Sequence, residues 1–531
     1  MEADIASENQ SPIVNGREIA GAAGIIALGN VLSRIMGLVR DVVIARLFGA
    51  SGLVSAYGVA SKVPTYLYDL LVGRMVSSAL VPVFSEHASV ERREELWRIA
   101  SLMLTLTTLV LVAVTLILET GAPLLSWLLA GGWDAELLAK TTALLRLTLP
   151  AVIFLGLSGI INGLLYALKR FKYPAFTMVV FNASIVVCGL AFARRWGIAS
   201  LAVGLLMGAV LQVALQLFGL RDMRFRPRLN LRDPALRRIL RLYLPIVLGL
   251  VVSQVGIIID RNLASRTGEE SIAWMNYATT LIQFPLGLVS IAIATAILPT
   301  LSQQAASDRE SVADFSSTLA LGLRLVLVLI IPAAVGLFVL ATPVVALLFQ
   351  RGAFDVRDTA MTALALRYYL LGLVFAAVDQ PLVFAFYARK DTLTPALVGV
   401  LGVGVYLAVA LALIRPLGMV GLILANGAQL SGHAAVMLIL FWRRVGSLRG
   451  HGLGTALFKT GLASVLMGGM TALVLRVLSG GVNDQTLLGR LTLVGVAGSA
   501  GLAVYLGLCA LLRVQEIGLL FGVIIRRLRG A

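Results

Sequence analysis

Long apolar runs, broken by short polar clusters, fill this chain from about residue 21 to residue 513. The apolar positions are continuous and do not alternate, so strands of a membrane barrel do not fit. Runs of about 18 residues or more can cross a hydrocarbon core of roughly 30 Å as helices. The pattern predicts fourteen spans, near 21–47, 52–86, 97–130, 138–167, 173–194, 197–220, 238–266, 270–302, 313–348, 359–387, 393–414, 417–442, 456–479 and 488–513. The expected fold class is an all-α polytopic membrane protein.

The pattern also repeats. A shift of 221 residues carries Arg40 onto Arg261, Pro64 onto Pro285 and Phe154 onto Phe375. It carries Tyr166-Ala167 and Lys169 onto Tyr387-Ala388 and Lys390, Pro174-Ala175 onto Pro395-Ala396, and Gly197 onto Gly418. Six spans fall in each copy. An even number of spans enters and leaves on the same side, so two parallel lobes related by an axis along the membrane normal are expected, as in many transporters. The expected domains are a tail (1–20), a first lobe (21–220), a basic linker (221–237), a second lobe (238–442), two added spans (443–513) and a basic tail (514–531).

Composition agrees with a membrane chain and excludes a soluble one: 59% of residues are hydrophobic and 13% charged. The net charge of +17 is concentrated in alternate loops, above all Arg221, Arg224, Arg226, Arg228, Arg232, Arg237, Arg238 and Arg241. Lys and Arg mark the cytoplasmic side, so both termini are expected inside a cytoplasmic membrane. Such loops meet anionic headgroups, so the basic balance needs no nucleic acid. The N-terminal stretch carries Glu2, Asp4 and Glu8 and lacks the form of a signal peptide. There is no phosphate-loop motif, the three histidines are scattered, and Cys188 and Cys509 sit in apolar runs. No catalytic constellation, metal site or cofactor is therefore expected.

Charges inside spans are costly and should face a cavity or one another. Span one carries Arg34, Arg40, Asp41 and Arg46; span two carries Lys62, Asp69 and Arg74; span seven carries Asp260 and Arg261. The seven-residue spacing of Arg34 and Asp41 puts both on one helix face. An excess of guanidinium groups suits an anion, above all a phosphate or diphosphate, which Arg grips with paired hydrogen bonds. The substrate-binding candidates are Arg34, Arg40, Asp41, Lys62, Arg74 and Arg261. The competing structural reading has such arginines capping span ends or snorkelling; it applies most to Arg46 and Arg74, and least to Arg34 and Arg40 deep in their span. Lys62 precedes Pro64, and Asp379 precedes Pro381, so each lies where a proline breaks the helical ladder. Satisfying the freed backbone and binding a ligand both fit those two positions. His433 is intramembrane, where a lone histidine is more commonly a packing residue than a proton relay.

Ser33-Arg34, Gly37, Arg40-Asp41, Ala45-Arg46 and Phe48-Gly49 resemble the first-span motif of the MurJ (MviN) lipid II flippases. Ser78-Ala79 with Val81-Pro82, Ala294 with Leu298-Pro299 and Leu301-Ser302, and Phe386-Tyr387-Ala388 with Asp391-Thr392 and Thr394-Pro395 are similar to later motifs of that family. The resemblance runs from about residue 20 to 510. It implies the fold of the multidrug/oligosaccharidyl-lipid/polysaccharide exporters, with two six-helix lobes in a V around a cationic cavity and two extra helices forming a groove for a lipid tail. The implied substrate is an undecaprenyl-diphosphate-linked glycopeptide, moved from the inner to the outer leaflet by alternating access, with cell-wall synthesis enzymes as further partners. Arg34 and Arg40 match the family's first-span arginines. Asp260 and Asp391 match positions often acidic in the family and join Asp379 as candidates for coupling to sodium or protons. Ser55, Tyr68 and Thr280 stand where relatives carry one acid and two arginines. Three other readings stay open: a flippase for another polyprenyl-diphosphate glycan, an ion-coupled drug exporter, and a non-transporting cell-wall scaffold.

Overall fold

A computed structural model of the chain describes residues 16–306, 312–519 and 522. It is helical throughout. In chain order the long helices are α1 (Gly16–Phe48), α2 (Gly52–Ser85), α3 (Arg93–Thr120), α4 (Ala135–Ala167), α5 (Lys172–Trp196), α6 (Ala199–Leu220) and α7 (Pro234–Ser265). They continue with α8 (Ser271–Ala306), α9 (Val312–Val339), α10 (Val356–Ala388), α11 (Leu393–Leu417), α12 (Met419–Arg444), α13 (Leu453–Ser479) and α14 (Leu487–Leu511). Twelve of these are long and apolar enough to cross a membrane by length and composition. The other two, α1 and α7, have 33 and 32 residues and carry internal charges. The protein is thus an all-α polytopic membrane protein. Helix α1 starts at Gly16, five residues before the expected span. Most of the expected N-terminal tail, residues 1–15, and most of the basic C-terminal tail lie outside the described residues.

The chain forms two compact units. Unit 1 takes residues up to Ile44, Val59–Ser126 and Leu138–Gln254; unit 2 takes Ala45–Gly58, Trp127–Leu137 and the chain from Val255 onward. The core of unit 1 gathers Leu80 and Phe84 of α2, Leu96 and Ile99 of α3, Ile160 and Leu164 of α4, and Leu236 and Ile239 of α7. In unit 2, Leu301, Phe315, Leu382, Phe386, Met437 and Phe441 form one core. Tyr505, Cys509, Met467 and Val328 form another, which fixes α13 and α14 to α9.

The duplication is visible in backbone detail. Helices α4 and α10 match at both ends under a shift of 221 (135–167 and 356–388), and so do α5 and α11 (172–196 and 393–417). Lys169 and Lys390 both take a left-handed conformation, φ 57° and 62°. Gly197 and Gly418 both turn the chain at φ near 55° with ψ −137° and −128°, a region open essentially to glycine. Nearer the front of each copy the shift is 219: α2 and α8 begin at Gly52 and Ser271, and the short helices Ala122–Ala130 and Ala341–Phe349 match at both ends. The single shift of 221 therefore needs correction there. The loop 350–355 is two residues longer than the loop 131–134, and that insertion restores 221 for the rest of the copy.

Prolines inside these helices free a carbonyl one turn back. Pro64 frees the carbonyl of Ala60, which accepts a hydrogen bond from Thr148 Oγ1 of α4 at 3.1 Å. Pro381 frees that of Ala377, which accepts from Ser290 Oγ of α8 at 2.5 Å. After Pro64 the chain passes through two π-helical turns, Asp69–Gly73 and Val76–Leu80; after Pro285 it passes through one, Leu286–Ser290. Tyr243 of α7 donates to the carbonyl of Leu70 within the first of these turns. The broken ladders are thus closed by side chains of neighbouring helices, as apolar surroundings require.

The basic segment between α6 and α7 is tied to unit 1 by acids. Asp222 pairs with Arg170 through bonds of 2.6 and 2.9 Å, and Glu86 with Arg238 at 2.6 and 2.8 Å. Arg98 pairs with buried Asp233, which also accepts from Ala235 N in the first turn of α7. The Arg170 hydrogen bond holds the Asp222 carboxyl below the usual carboxylate range, and Arg238 does the same to Glu86. Their contribution is therefore full at neutral pH and is lost as pH falls through the depressed values. The Asp222 pair is largely exposed, so Asp222→Asn is expected to cost at most about 1 kcal/mol. Thermal unfolding should then differ between wild type and variant at pH 7 and converge in acid. A difference that persists in acid would refute this.

Candidate functional site

The charged positions of α1 owe their placement to glycines. A Cβ at Gly29 would sit 2.3 Å from the backbone oxygen of Ala175 on α5, so only glycine allows that approach. Two turns on, Gly37 lies against Asn182 of the same helix. This close contact sets Arg40. Its Nε and Nη2 donate to Asp41 Oδ1 at 2.9 and 2.8 Å, and its Nη1 donates to Asn182 Oδ1 at 3.0 Å. Asp41 is 8% exposed. Arg40 is therefore a partly buried guanidinium held at three nitrogens. Gly29→Leu should force α1 off α5, with protein recovered from membranes falling several-fold; recovery at wild-type levels would count against this packing.

Arg34, six residues back on α1, is half-buried. Lys62 is half-buried on α2 beside Pro64, and Arg74 is exposed between the two π-helical turns, where its charge acts on Asp69. Arg261 of α7 stands beside Asp260 at 4.0 Å and donates to Asn276 Oδ1 of α8 at 3.4 Å.

The three candidate coupling carboxylates occupy separate settings. Asp260 accepts a hydrogen bond from Tyr406 of α11. Asp379 of α10 lies 2.7 Å from His433 Nδ1 of α12. Asp391 caps α11, accepting from Thr394 N at 2.9 Å and from Thr394 Oγ1 at 2.6 Å, bonds that hold its carboxyl below the usual range. No contact joins the three among the described residues. Nor do those residues hold a group of His, Cys, Asp and Glu side chains fit for a metal ion.

Asn182 and Tyr406 were not among the expected site residues. Each is a polar group inside a run that otherwise reads as apolar, and that was the available signal. The divergent positions are filled by neutral groups. Ser55 is fully buried and its Oγ accepts from Ala273 N at 3.1 Å. The Tyr68 ring packs where a Cβ on Gly159 of α4 would meet it at 2.8 Å. Thr280 Oγ1 donates to the Asn276 carbonyl at 3.1 Å.

Residues 44–491 match the family described as lipid II flippase MurJ. The lipid II flippase MurJ of Burkholderia cenocepacia is 31% identical over 375 residues, covering 69% of this chain and 72% of that protein. The probable lipid II flippase MurJ of Thermotoga maritima is 29% identical over 491 residues, covering 92% and 96%. A solved lipid II flippase MurJ in an inward closed conformation superposes with a TM-score of 0.77 at 25% identity, covering 93% of this chain and 99% of that one. An inward-facing multidrug resistance transporter of the MATE family shares the fold, with a TM-score of 0.63 at 16% identity over 78% of this chain and 94% of its own. The chain belongs to the MurJ family, which consists of transporters and not enzymes.

Proposed function

We propose that this protein moves lipid II, a polyprenyl-diphosphate-linked glycopeptide, from the inner to the outer leaflet of a bacterial cytoplasmic membrane by alternating access. Family membership over residues 44–491 is the observation that carries this reading. Arg34 and Arg40 are its anion-binding groups, with Asp41 orienting Arg40; Lys62, Arg74 and Arg261 supply further positive charge. A bare diphosphate pays a prohibitive desolvation cost in hydrocarbon, so a charged headgroup needs such partners while its tail stays in lipid. An inward-negative potential favours outward movement of an anion by about 2.3 kcal/mol per charge per 100 mV. Both termini then lie in the cytoplasm, as the Lys and Arg of alternate loops support.

A second reading rests on Ser55, Tyr68 and Thr280. These neutral groups stand where the family resemblance implies one acid and two arginines, which favours a related polyprenyl-diphosphate glycan with a different headgroup. One experiment separates the two. Purified protein in liposomes is offered lipid II and other polyprenyl-diphosphate glycans, and arrival in the opposite leaflet is measured. Movement of lipid II supports the first reading. Movement of another glycan alone supports the second, and movement of none sinks both.

A further inference from the structure

Unit 2 holds an acid–histidine pair that lies outside the proposed anion-binding groups. Asp379 on α10 and His433 on α12 face each other with Oδ1 2.7 Å from Nδ1, and their side chains are only 13% and 16% exposed. The second ring nitrogen, Nε2, lies 3.4 Å from the carbonyl oxygen of Pro395 on α11. A carbonyl only accepts, so a hydrogen on Nε2 would find an acceptor there, at the long end of hydrogen-bond range. The short Nδ1–Oδ1 contact cannot set a bare nitrogen lone pair against a bare carboxylate, so a proton sits between them. The geometry thus has a place for one proton more than a neutral imidazole beside a carboxylate would hold.

The surroundings reserve that proton for the pair. Helices α10 and α12 approach closely through Gly372 and Gly427, where a Cβ on Gly372 would stand 3.1 Å from the Gly427 backbone. Several other charges on the packed helices have partners of their own: Arg357 of α10 stands 3.8 Å from Glu270, and Asp358 accepts from Trp274 Nε1 at 3.0 Å. Arg324 of α9 pairs with Glu516, and Arg367 of α10 bonds Thr342 and the Phe338 carbonyl. Arg444 of α12 donates to Thr394, and Arg415 lies in the last turn of α11. Helix α8 has no Asp, Glu, Lys, Arg or His. The only charged partner the structure gives the imidazole is Asp379, among the described residues. Loss of the proton would leave an unneutralised carboxylate among apolar helices, where an uncompensated charge is strongly disfavoured. Pro381 interrupts the α10 ladder two residues beyond Asp379, so a small change in α10 alters the contact.

We propose that Asp379 and His433 form a proton-binding site, with imidazolium and carboxylate as its loaded state, and that the ion this transporter takes there is a proton and not sodium. The inference rests on the transport reading only for its coupling role. The site itself is tested without substrate. Full-length protein carrying 15N-labelled histidine is titrated in lipid nanodiscs, and nitrogen chemical shifts report the ring's protonation. The chain has three histidines, His87, His433 and His451, and His433→Gln assigns the signal. The expected result is a His433 imidazolium that persists at pH 7 in sodium and potassium salts alike. Asp379→Asn should convert it to the neutral ring, and Asp379→Glu should restore it in part. A neutral His433 in the wild type at pH 7, or displacement of its proton by sodium, overturns the proposal. In proteoliposomes, a pH gradient should accelerate lipid movement by wild type and not by His433→Gln. Indifference of the wild type to the gradient removes the coupling role. Absence of lipid movement under every gradient, with His433 still titrating, leaves the proton site standing and sinks the transport reading instead.

Discussion

Arg40→Ala is expected to slow movement of a polyprenyl-diphosphate lipid by about a hundredfold, with membrane levels of the protein near normal. A hydrogen bond between charged groups contributes about 1.5–3 kcal/mol, and each 1.4 kcal/mol is a factor of ten. The geometry separates a ligand role from a structural one. Arg40 binds Asp41 through two nitrogens and Asn182 through a third, so removing it leaves the 8% exposed Asp41 carboxylate without those bonds. If that were the whole effect, Arg40→Ala combined with Asp41→Asn would recover transport. We expect the double variant to recover protein level and not transport. Arg40→Lys should rank between wild type and alanine, because it keeps the charge and loses the planar fork. Arg34→Ala should show a loss of similar size. Wild-type transport by the Arg34→Ala, Arg40→Ala double variant would reduce both arginines to packing roles.

The membrane architecture was legible because run length decides it. An apolar run either suffices to cross a bilayer or does not, and each expected span meets a long helix. The copy relation was legible through prolines, glycines and the Tyr-Ala motif, whose positions depend on backbone geometry. The two-residue insertion in the loop 350–355 was not, because residue matches at Pro64 and Pro285 hold at 221 while the helix starts shift by 219. Charges were easy to find and their partners were not. The seven-residue spacing joined Asp41 to Arg34 on one face, and it gave no sign that Asp41 also accepts two bonds from its neighbour Arg40. His433 read as a solitary packing residue because its partner lies 54 residues earlier on a different helix. Proline positions announced broken ladders at Pro64 and Pro381, but only tertiary structure could supply the hydroxyls of Thr148 and Ser290 that close them.

Arg490 drew no notice in the sequence, since an arginine at the start of an apolar run reads as a snorkelling end residue. In the structure it is 7% exposed and should control the stability of the two helices outside the repeat. A cation in the first turn of a helix is unfavourable to that helix's own dipole, so its position needs another cause. The cause is the C-terminal end of the short helix Ala341–Phe349, where the Ala346 carbonyl accepts from Gln350 N and still has a lone pair to offer. Arg490 Nη1 donates to the carbonyls of Ala346 and Gln350 at 3.0 and 2.7 Å, and Nε donates to that of Asp484 at 2.6 Å. One guanidinium thereby caps the C-terminal end of that helix, where positive charge is favoured, and clamps the start of α14 to it. Arg490→Met keeps much of the volume and leaves these carbonyls in apolar surroundings, at an expected cost of roughly 3–5 kcal/mol. Its thermal unfolding should begin at clearly lower temperature, with protease cutting first between α13 and α14, near 480–486. Arg490→Lys should fall between the two, since one ammonium cannot span three carbonyls with the fork geometry of Arg. Unfolding of the methionine variant at the wild-type temperature would show that the apolar cluster around Tyr505 and Cys509 holds α14 without the clamp.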